Sequence, residues 1–310
     1  MFSYPAGIDV SKDSLEARVN LIDVGVSCAN AEDDFPGLIG WLLLHQVGRV
    51  LLEATGGYER KVMKALQAAG LNVICINPRR AKSFSTAMGQ QAKTDPIDAK
   101  SLAQFAAVLD SPNSRITSPK HDELRALVQQ RENFIQQRDD DKRRLKTASC
   151  DVVKPALQSH IDYLIKAVNA IDQLIRQSAN VLDREKVERL CSVKGIGLIT
   201  AASLMAYLPE LGEVGKRPIA ALAGLAPYNN DSGKHMGARH IRGGRFSARR
   251  SLYMACWVVI RDQPEFQARY KALRGKGKCA KVALIACMRV LLIRLNAMLR
   301  DRTEWKEHAA

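Results

Sequence analysis

Apolar and polar positions divide this chain into three textures. In the first hundred residues, strand-length apolar runs alternate with helix-length amphipathic segments. Residues 6–10 form a short apolar run. Residues 15–22 alternate as a half-buried strand does, and 24–29 can pair with them as a hairpin. Residues 34–47 read as a helix with Pro36 in its first turn, 49–53 as a buried strand ending in an acid, 58–69 as a helix stopped by Gly70, and 71–77 as a strand ended by Pro78. From 121 to 189 there is no glycine, and apolar residues such as Ile161, Leu164, Val168, Ile171 and Ile175 recur at helical spacing around the single Pro155. This predicts two long helices in an antiparallel hairpin. Beyond Cys191 glycines return. Residues 192–197 form a glycine turn ahead of a helix over 198–207, 224–244 is a glycine-rich loop, and 246–261 and 278–302 read as basic helices.

Three strands, helix, strand, helix, strand is the order of a ribonuclease-H-like sheet, although other α/β folds give similar strings. The textures suggest three parts: an α/β domain over 1–115, a helical arm over 116–189 that is either a dimerising coiled coil or a plain helical subdomain, and a mainly α domain over 190–310. A length of 310 residues accommodates such an arrangement.

Charge changes the picture of the last part. Residues 190–310 hold 21 Lys/Arg against 8 Asp/Glu, whereas residues 1–189 hold 26 against 24. A strongly basic domain joined to a nearly neutral one points to a polyanion partner, with a solubilising surface as the plainer reading. The seven cysteines form no CxxC pair, which argues against a disulfide framework or zinc knuckle and for a reducing compartment. No signal peptide is visible and no uninterrupted apolar run reaches the roughly 20 residues of a membrane span. The expectation is a cytoplasmic protein with no membrane partner.

Two constellations carry chemistry. Asp9 interrupts the first apolar strand, Glu53 ends the fourth, and Asp95 and Asp98 lie in Lys93-Thr94-Asp95-Pro96-Ile97-Asp98. Each has a structural alternative. Asp9 suits a strand-end turn, Glu53 a solvent-facing strand end, Asp95 an N-cap with Pro96 at the first helical position, and Asp98 the helix dipole. Yet a spacing of three puts Asp95 and Asp98 on one side of a helix start, and in a ribonuclease-H-like sheet the first and fourth strands are neighbours. Four converging carboxylates repel unless cations neutralise them. Oxygen-only ligands suit Mg2+ or Mn2+, and a two-metal site can clamp both oxygens of a phosphodiester exchange.

The second constellation is Asp231-Ser232-Gly233-Lys234 followed by Arg239, Arg242, Arg245 and, in the next helix, Arg249. Arginines can grip phosphate bidentately and stabilise its charge, so Ser232 is a candidate nucleophile; a turn in a DNA-contacting loop is the alternative. The turn with Lys194, Gly195 and Gly197 resembles a helix-hairpin-helix element, whose backbone N–H groups approach phosphate.

Together, Gly7-Ile8-Asp9-Val10-Ser11-Lys12, Glu53-Ala54-Thr55-Gly56-Gly57-Tyr58, Asn77-Pro78 and Lys93-Thr94-Asp95-Pro96-Ile97-Asp98-Ala99 resemble the DEDD transposase family of bacterial insertion sequences, which includes Piv-type invertases. Leu222-Ala223-Gly224-Leu225-Ala226-Pro227, Asp231-Ser232-Gly233 and Arg242-Gly243-Gly244-Arg245 resemble its C-terminal transposase domain. The resemblance covers nearly the whole chain, in order. It implies a RuvC-like N-terminal domain, a coiled-coil arm and a transposase domain, with Asp9, Glu53, Asp95 and Asp98 as metal ligands and Ser232 linked covalently to a DNA end. It further implies donor and target double-stranded DNA, a structured guide (bridge) RNA, and a homodimer or tetramer. A RuvC-like nuclease or junction resolvase accounts for the acids but not for the basic serine-containing part. An actin-like ATPase would need a second phosphate loop, and a binding module would need no acids at all. A Piv-like invertase would work without the guide RNA.

Overall fold

The computed structural model describes residues 4–90, 92, 94–110, 114, 115, 117–231, 237 and 239–306. It divides into two compact units, 1–116 and 117–310.

The first unit is built on a five-stranded mixed sheet. Its strands are β1 (Tyr4–Val10), β2 (Ser14–Val19), β3 (Gly25–Ala29), β4 (Val47–Glu53) and β5 (Asn72–Ile76), in the spatial order β3-β2-β1-β4-β5. The first three pair antiparallel, and β1, β4 and β5 pair parallel. The second strand stops three residues before the end expected from its alternation. Leu21 and Asp23 have φ of 76° and 51°, and these left-handed positions turn the chain into β3.

Alternation along the strands assigns the two faces. Ile8, Leu15, Val50, Leu52 and Val73 pack with Phe35, Leu38 and Leu42 of α1 (Phe35–Leu44) and with Val62 and Leu66 of α2 (Glu59–Ala68). Leu51, Ile74 and Ile76 pack on the opposite face against Ala81 of α3 (Pro78–Ala87) and Leu102 and Ala106 of α4 (Asp95–Val108). Parallel strands covered on both faces read as the near-continuous apolar runs seen at 50–52 and 73–76.

Gly7 explains how closely α4 sits. A β-carbon there would lie 2.3 Å from the Ala103 nitrogen and the Ala99 oxygen. The helix backbone therefore rests on the strand backbone, and only glycine leaves the room. At the other end of α4, Arg49 Nη1 donates to the carbonyl oxygens of Leu109 (3.0 Å) and Ala106 (3.4 Å). Because Arg49 lies near the start of β4 and Gly7 midway along β1, α4 runs antiparallel to both strands. Its N-terminus lies at their C-terminal ends.

The second unit is helical: α5 (Pro119–Thr147), α6 (Lys154–Cys191), α7 (Leu198–Tyr207), α8 (Lys216–Leu222), α9 (Phe246–Asp262), α10 (Pro264–Gly275) and α11 (Ala280–Arg300), with a two-stranded ribbon of β6 (Pro227–Tyr228) and β7 (His240–Ile241). α5 and α6 pair through buried positions including Ile161, Leu164, Val168, Ile171 and Ile175, whose spacings of three and four place them on one stripe. His160 Nδ1 lies 2.6 Å from the buried Asp141 carboxylate, and Arg131 pairs with Asp172 across the same hairpin. The division expected at residue 189 falls inside α6. Leu124, Val128, Ile175, Ala179 and Leu190 share one core with α7, α9 and α11. The long helix kinks at Asp183 (φ −164°, ψ 93°), whose carboxylate accepts from the Lys186 N–H at 2.9 Å and restarts the helix as an N-cap. α11 is long and apolar enough to span a membrane by length and composition. Its Leu284, Cys287, Met288, Leu291 and Leu295 are instead buried in the helical core.

Candidate functional site

The acids of the first unit gather at one end of the sheet. β1 and β4 pair with Ile8 opposite Leu52, so Asp9 and Glu53 are the next residues on adjacent parallel strands. Their neighbours Ile8 and Leu52 point into the α1–α2 core, so alternation sends both acids to the α4 face. There the N-terminus of α4 arrives with Asp95 exposed and Asp98 half-buried; Asp9 and Glu53 are half-buried. The N-cap of that helix is Thr94, so Asp95 is its first residue and Pro96 its second, one position later than the sequence suggests. Acids in the first turn suit the positive end of the helix dipole.

The loops behind these acids are held by side chains that the sequence pattern does not reveal. The buried Glu59 accepts from the Thr55 N–H (3.0 Å), the Thr55 hydroxyl (3.3 Å) and the Gly57 N–H (2.9 Å), all at Oε2. It closes the turn immediately after Glu53, in which Gly56 and Gly57 have φ of 76° and 120°. Asn30 Nδ2 donates to the Ser11 carbonyl at 2.8 Å and to the Tyr58 carbonyl at 3.3 Å, so it ties the loop after Asp9 to the loop after Glu53. Asn77 caps α3 by accepting from the Arg79 N–H at 2.9 Å. An acid in the first turn of a helix after Thr-Gly-Gly was the one available signal for Glu59.

Cys75 on β5 is no rival to these oxygens. Burial first, then the negative charges of Glu59 and Glu53, push its thiol up to about 12, so it stays protonated. Among the described residues no three His, Cys, Asp or Glu side chains form a ready metal cage. The four acids share one edge and offer only oxygen donors, which suits a hard divalent cation. Asp9, Glu53 and Asp98 each already have a polar or electrostatic partner within the chain.

The basic candidates separate into two groups. Lys194, Arg239 and Arg242 are exposed. Arg245 forks onto Glu210, with Nη2–Oε1 at 2.7 Å and Nη1–Oε2 at 2.5 Å, and Nη1 also donates to the Tyr207 carbonyl at 3.0 Å. Arg249 Nη1 donates to the carbonyls of Gly243 (2.8 Å) and Gly224 (3.2 Å). These guanidiniums hold together the two motifs around Gly224 and Gly244, which touch backbone to backbone. A β-carbon on Gly244 would lie 2.1 Å from the Gly224 nitrogen. Gly195 has φ of 101° and packs on Val259 of α9, while Gly197 is the N-cap of α7. Ser232 and Lys234 lie outside the described residues, between β6 and β7.

Comparison with known proteins gives this arrangement its class. A transposase family model matches residues 6–148, which contain all four acids, and the model of the transposase IS116/IS110/IS902 family matches residues 187–271. The protein is a transposase-type DNA recombinase, an enzyme acting on DNA. It belongs to the IS110 family of insertion-sequence transposases. The pilin gene-inverting proteins of Moraxella lacunata and Moraxella bovis are each 27% identical over 307 residues, spanning 95% of this chain and 95% of theirs. The insertion element IS110 uncharacterized 43.6 kDa protein of Streptomyces coelicolor is 30% identical over 162 residues, 51% of this chain and 39% of that protein.

Proposed function

We propose that the first unit is a ribonuclease-H-like, RuvC-like catalytic domain in which Asp9, Glu53, Asp95 and Asp98 hold divalent metal, Mg2+ or Mn2+, and that Ser232 is the nucleophile of strand exchange. The observation carrying this reading is the seating of α4 on Gly7, which brings the helix start with Asp95 and Asp98 to the strand ends bearing Asp9 and Glu53. The sheet order β3-β2-β1-β4-β5 is the one expected of a ribonuclease-H-like domain and supports the same reading. Divalent metal bound there would supply charge stabilisation to phosphate oxygens. Exposed Lys194, Arg239 and Arg242, with Lys234, bind DNA phosphates. Arg245 and Arg249 hold the surrounding loops in place for that contact. The α5–α6 hairpin is a coiled-coil arm through which copies assemble as a homodimer or tetramer.

In the exchange, the Ser232 hydroxyl oxygen attacks the scissile phosphorus. One oxygen–phosphorus bond forms as the bond to the 3′ oxygen breaks. The hydroxyl gives up its proton and the departing 3′ oxygen gains one, leaving a phosphoserine and a free 3′-OH. Attack by a 3′-OH from another strand reverses the step and regenerates serine, so rejoining needs no ATP. A structured bridge RNA made from the flank of the element pairs with donor and target DNA to select the sites.

A second reading, inversion without guide RNA, is favoured by the end-to-end match to the Moraxella inverting proteins. Sequenced junctions from a cellular recombination assay separate the two. The chain is supplied with its flanking DNA, beside Asp9→Asn and Ser232→Ala. Loss in both variants, with junctions that move when the flanking transcript is reprogrammed, supports the guided serine recombinase. Junctions that need both residues and ignore the transcript support the inverting reading. Recombination that survives Ser232→Ala refutes the serine step, and cut DNA without rejoined junctions indicates a nuclease.

A further inference from the structure

One face of α9, with the adjoining end of α10, carries aromatic rings among cations, and neither the acids nor the serine segment accounts for them. Phe246, Arg250, Tyr253, Trp257 and Arg261 follow one another at spacings of four, three, four and four, so they share a helix face. Phe246 is 63%, Tyr253 38% and Trp257 37% exposed, with Met254 beside them at 66%. Rings of this size usually go inside. The opposite face already fills the core with Leu252, Cys256 and Val259. Arg249 lies 5.6 Å from the centre of the Phe246 ring, and Trp257 meets Tyr270 of α10 edge-on at 5.6 Å, which fixes the indole plane.

Beyond Tyr270 the chain becomes a cationic strip. Residues 269–281 contain six Lys/Arg and no Asp or Glu. Arg269, Lys271, Arg274, Lys276, Lys278 and Lys281 are all exposed. Arg274 Nη1 donates to the Lys278 carbonyl at 2.8 Å and folds the strip back on itself. At the end of α9, the buried Gln263 donates through Nε2 to the Lys194 carbonyl at 3.0 Å, which ties the glycine turn to the end of the helix.

We propose that this α9–α10 face binds unpaired nucleotides of a single-stranded nucleic acid, with bases stacked on Trp257 and its neighbouring rings and phosphates following residues 269–281. The charge selects a polyanion, and the exposed rings select one whose base faces are available. A duplex hides those faces, so the rings would gain little from it. A second copy of this chain is disfavoured, because a symmetric pairing through this face would bring two cationic strips together. The proposal rests on reading the helical unit as nucleic-acid-binding, and is independent of the four acids and Ser232.

The test is fluorescence anisotropy of the full chain with labelled oligothymidylate, oligouridylate, an abasic strand of the same length and a matching duplex. Trp257→Ala is expected to weaken single-strand binding roughly tenfold while duplex affinity stays within about twofold. Trp257→Phe should restore most of the loss, and the wild-type chain should bind the abasic strand as weakly as Trp257→Ala binds the base-bearing one. The tighter of the DNA and RNA strands identifies the source of the nucleotides. Should Trp257→Ala fail to fold, the wild-type comparison of base-bearing and abasic strands decides alone. Equal affinity for those two strands overturns the proposal, as does a matching loss on duplex. A shift in oligomeric state in Trp257→Ala would instead assign the face to a second copy. Failure of all nucleic acids to bind refutes the nucleic-acid reading of the helical unit as well, whereas duplex binding indifferent to exposed bases refutes this proposal alone.

Discussion

The acidic edge and the arginine-rich loop build function in opposite ways. At the acidic edge, the candidate side chains sit directly on regular elements: Asp9 and Glu53 on adjacent strands, Asp95 and Asp98 in the first turn of α4. Their placement is inherited from sheet register and from one backbone-to-backbone contact at Gly7. In the loop, two conspicuous arginines are committed inward, to Glu210 and to the carbonyls of Gly224 and Gly243. There the scaffold is made of side chains that also look like ligand-binding groups. Counting arginines therefore overstates how many are free to meet a phosphate.

That contrast can be broken most directly at Gly7. Gly7→Val drives side-chain atoms into the Ala99 and Ala103 backbone of α4. It should cost about 1–3 kcal/mol or more by urea unfolding and abolish recombination, because the acids lose their common edge. Preserved recombination in a folded Gly7→Val protein would show that α4 does not need this seat. A smaller loss is expected from Glu59→Gln. The fold should survive, but the turn behind Glu53 loses its charged acceptor, and recombination should fall about 10–100-fold, with the loss partly recovered at higher metal concentration. An unchanged rate would make Glu59 structural only.

Arg245→Ala and Arg242→Ala sharpen the distinction within the loop. Arg245→Ala leaves the half-buried Glu210 without its bidentate partner and should lower unfolding stability by roughly 1–2 kcal/mol. Arg242→Ala should leave stability unchanged and reduce the salt slope of DNA binding by about one. Reversed outcomes would exchange their roles. The smallest effect concerns Cys75. Its folded thiol ionises near 12, above the ordinary value of 9 reached when unfolded. Stability should therefore be fully present below pH 9 and fall gradually as pH rises from 9 towards 12. Thiol titration at neutral pH should label exposed Cys150 and Cys279 well before Cys75.

How much of this was legible in the sequence follows the same contrast. The succession of strands and the placement of the four acids at strand ends and a helix start were readable because period-two apolar runs and acids at their ends are local signals. The start of α4 was misplaced by one residue, since Thr94 and Asp95 are both plausible caps and Pro96 tolerates either first-turn position. Glu59 and Asn30 were missed because each acts through side-chain bonds to backbone groups, Asn30 across nineteen and twenty-eight positions, and such bonds leave no periodicity. The ribbon of β6 and β7 has only two residues per strand, too short for any pattern to register. The rings on α9 were hidden by composition. A helix of mixed basic and apolar residues reads as amphipathic whether its rings face inward or outward.

The β6–β7 ribbon also limits where chemistry at Ser232 can happen. Ser232 follows Tyr228, the last residue of β6, by four positions. A polypeptide covers at most ~3.6 Å per residue, so the serine is tethered within about 14 Å of the ribbon end, however the intervening chain runs. With Ser232 as the proposed nucleophile, a tether that short cannot carry it to a distant strand. On the proposed serine mechanism, the scissile phosphate and any group that assists there must come within about the same distance of the ribbon end.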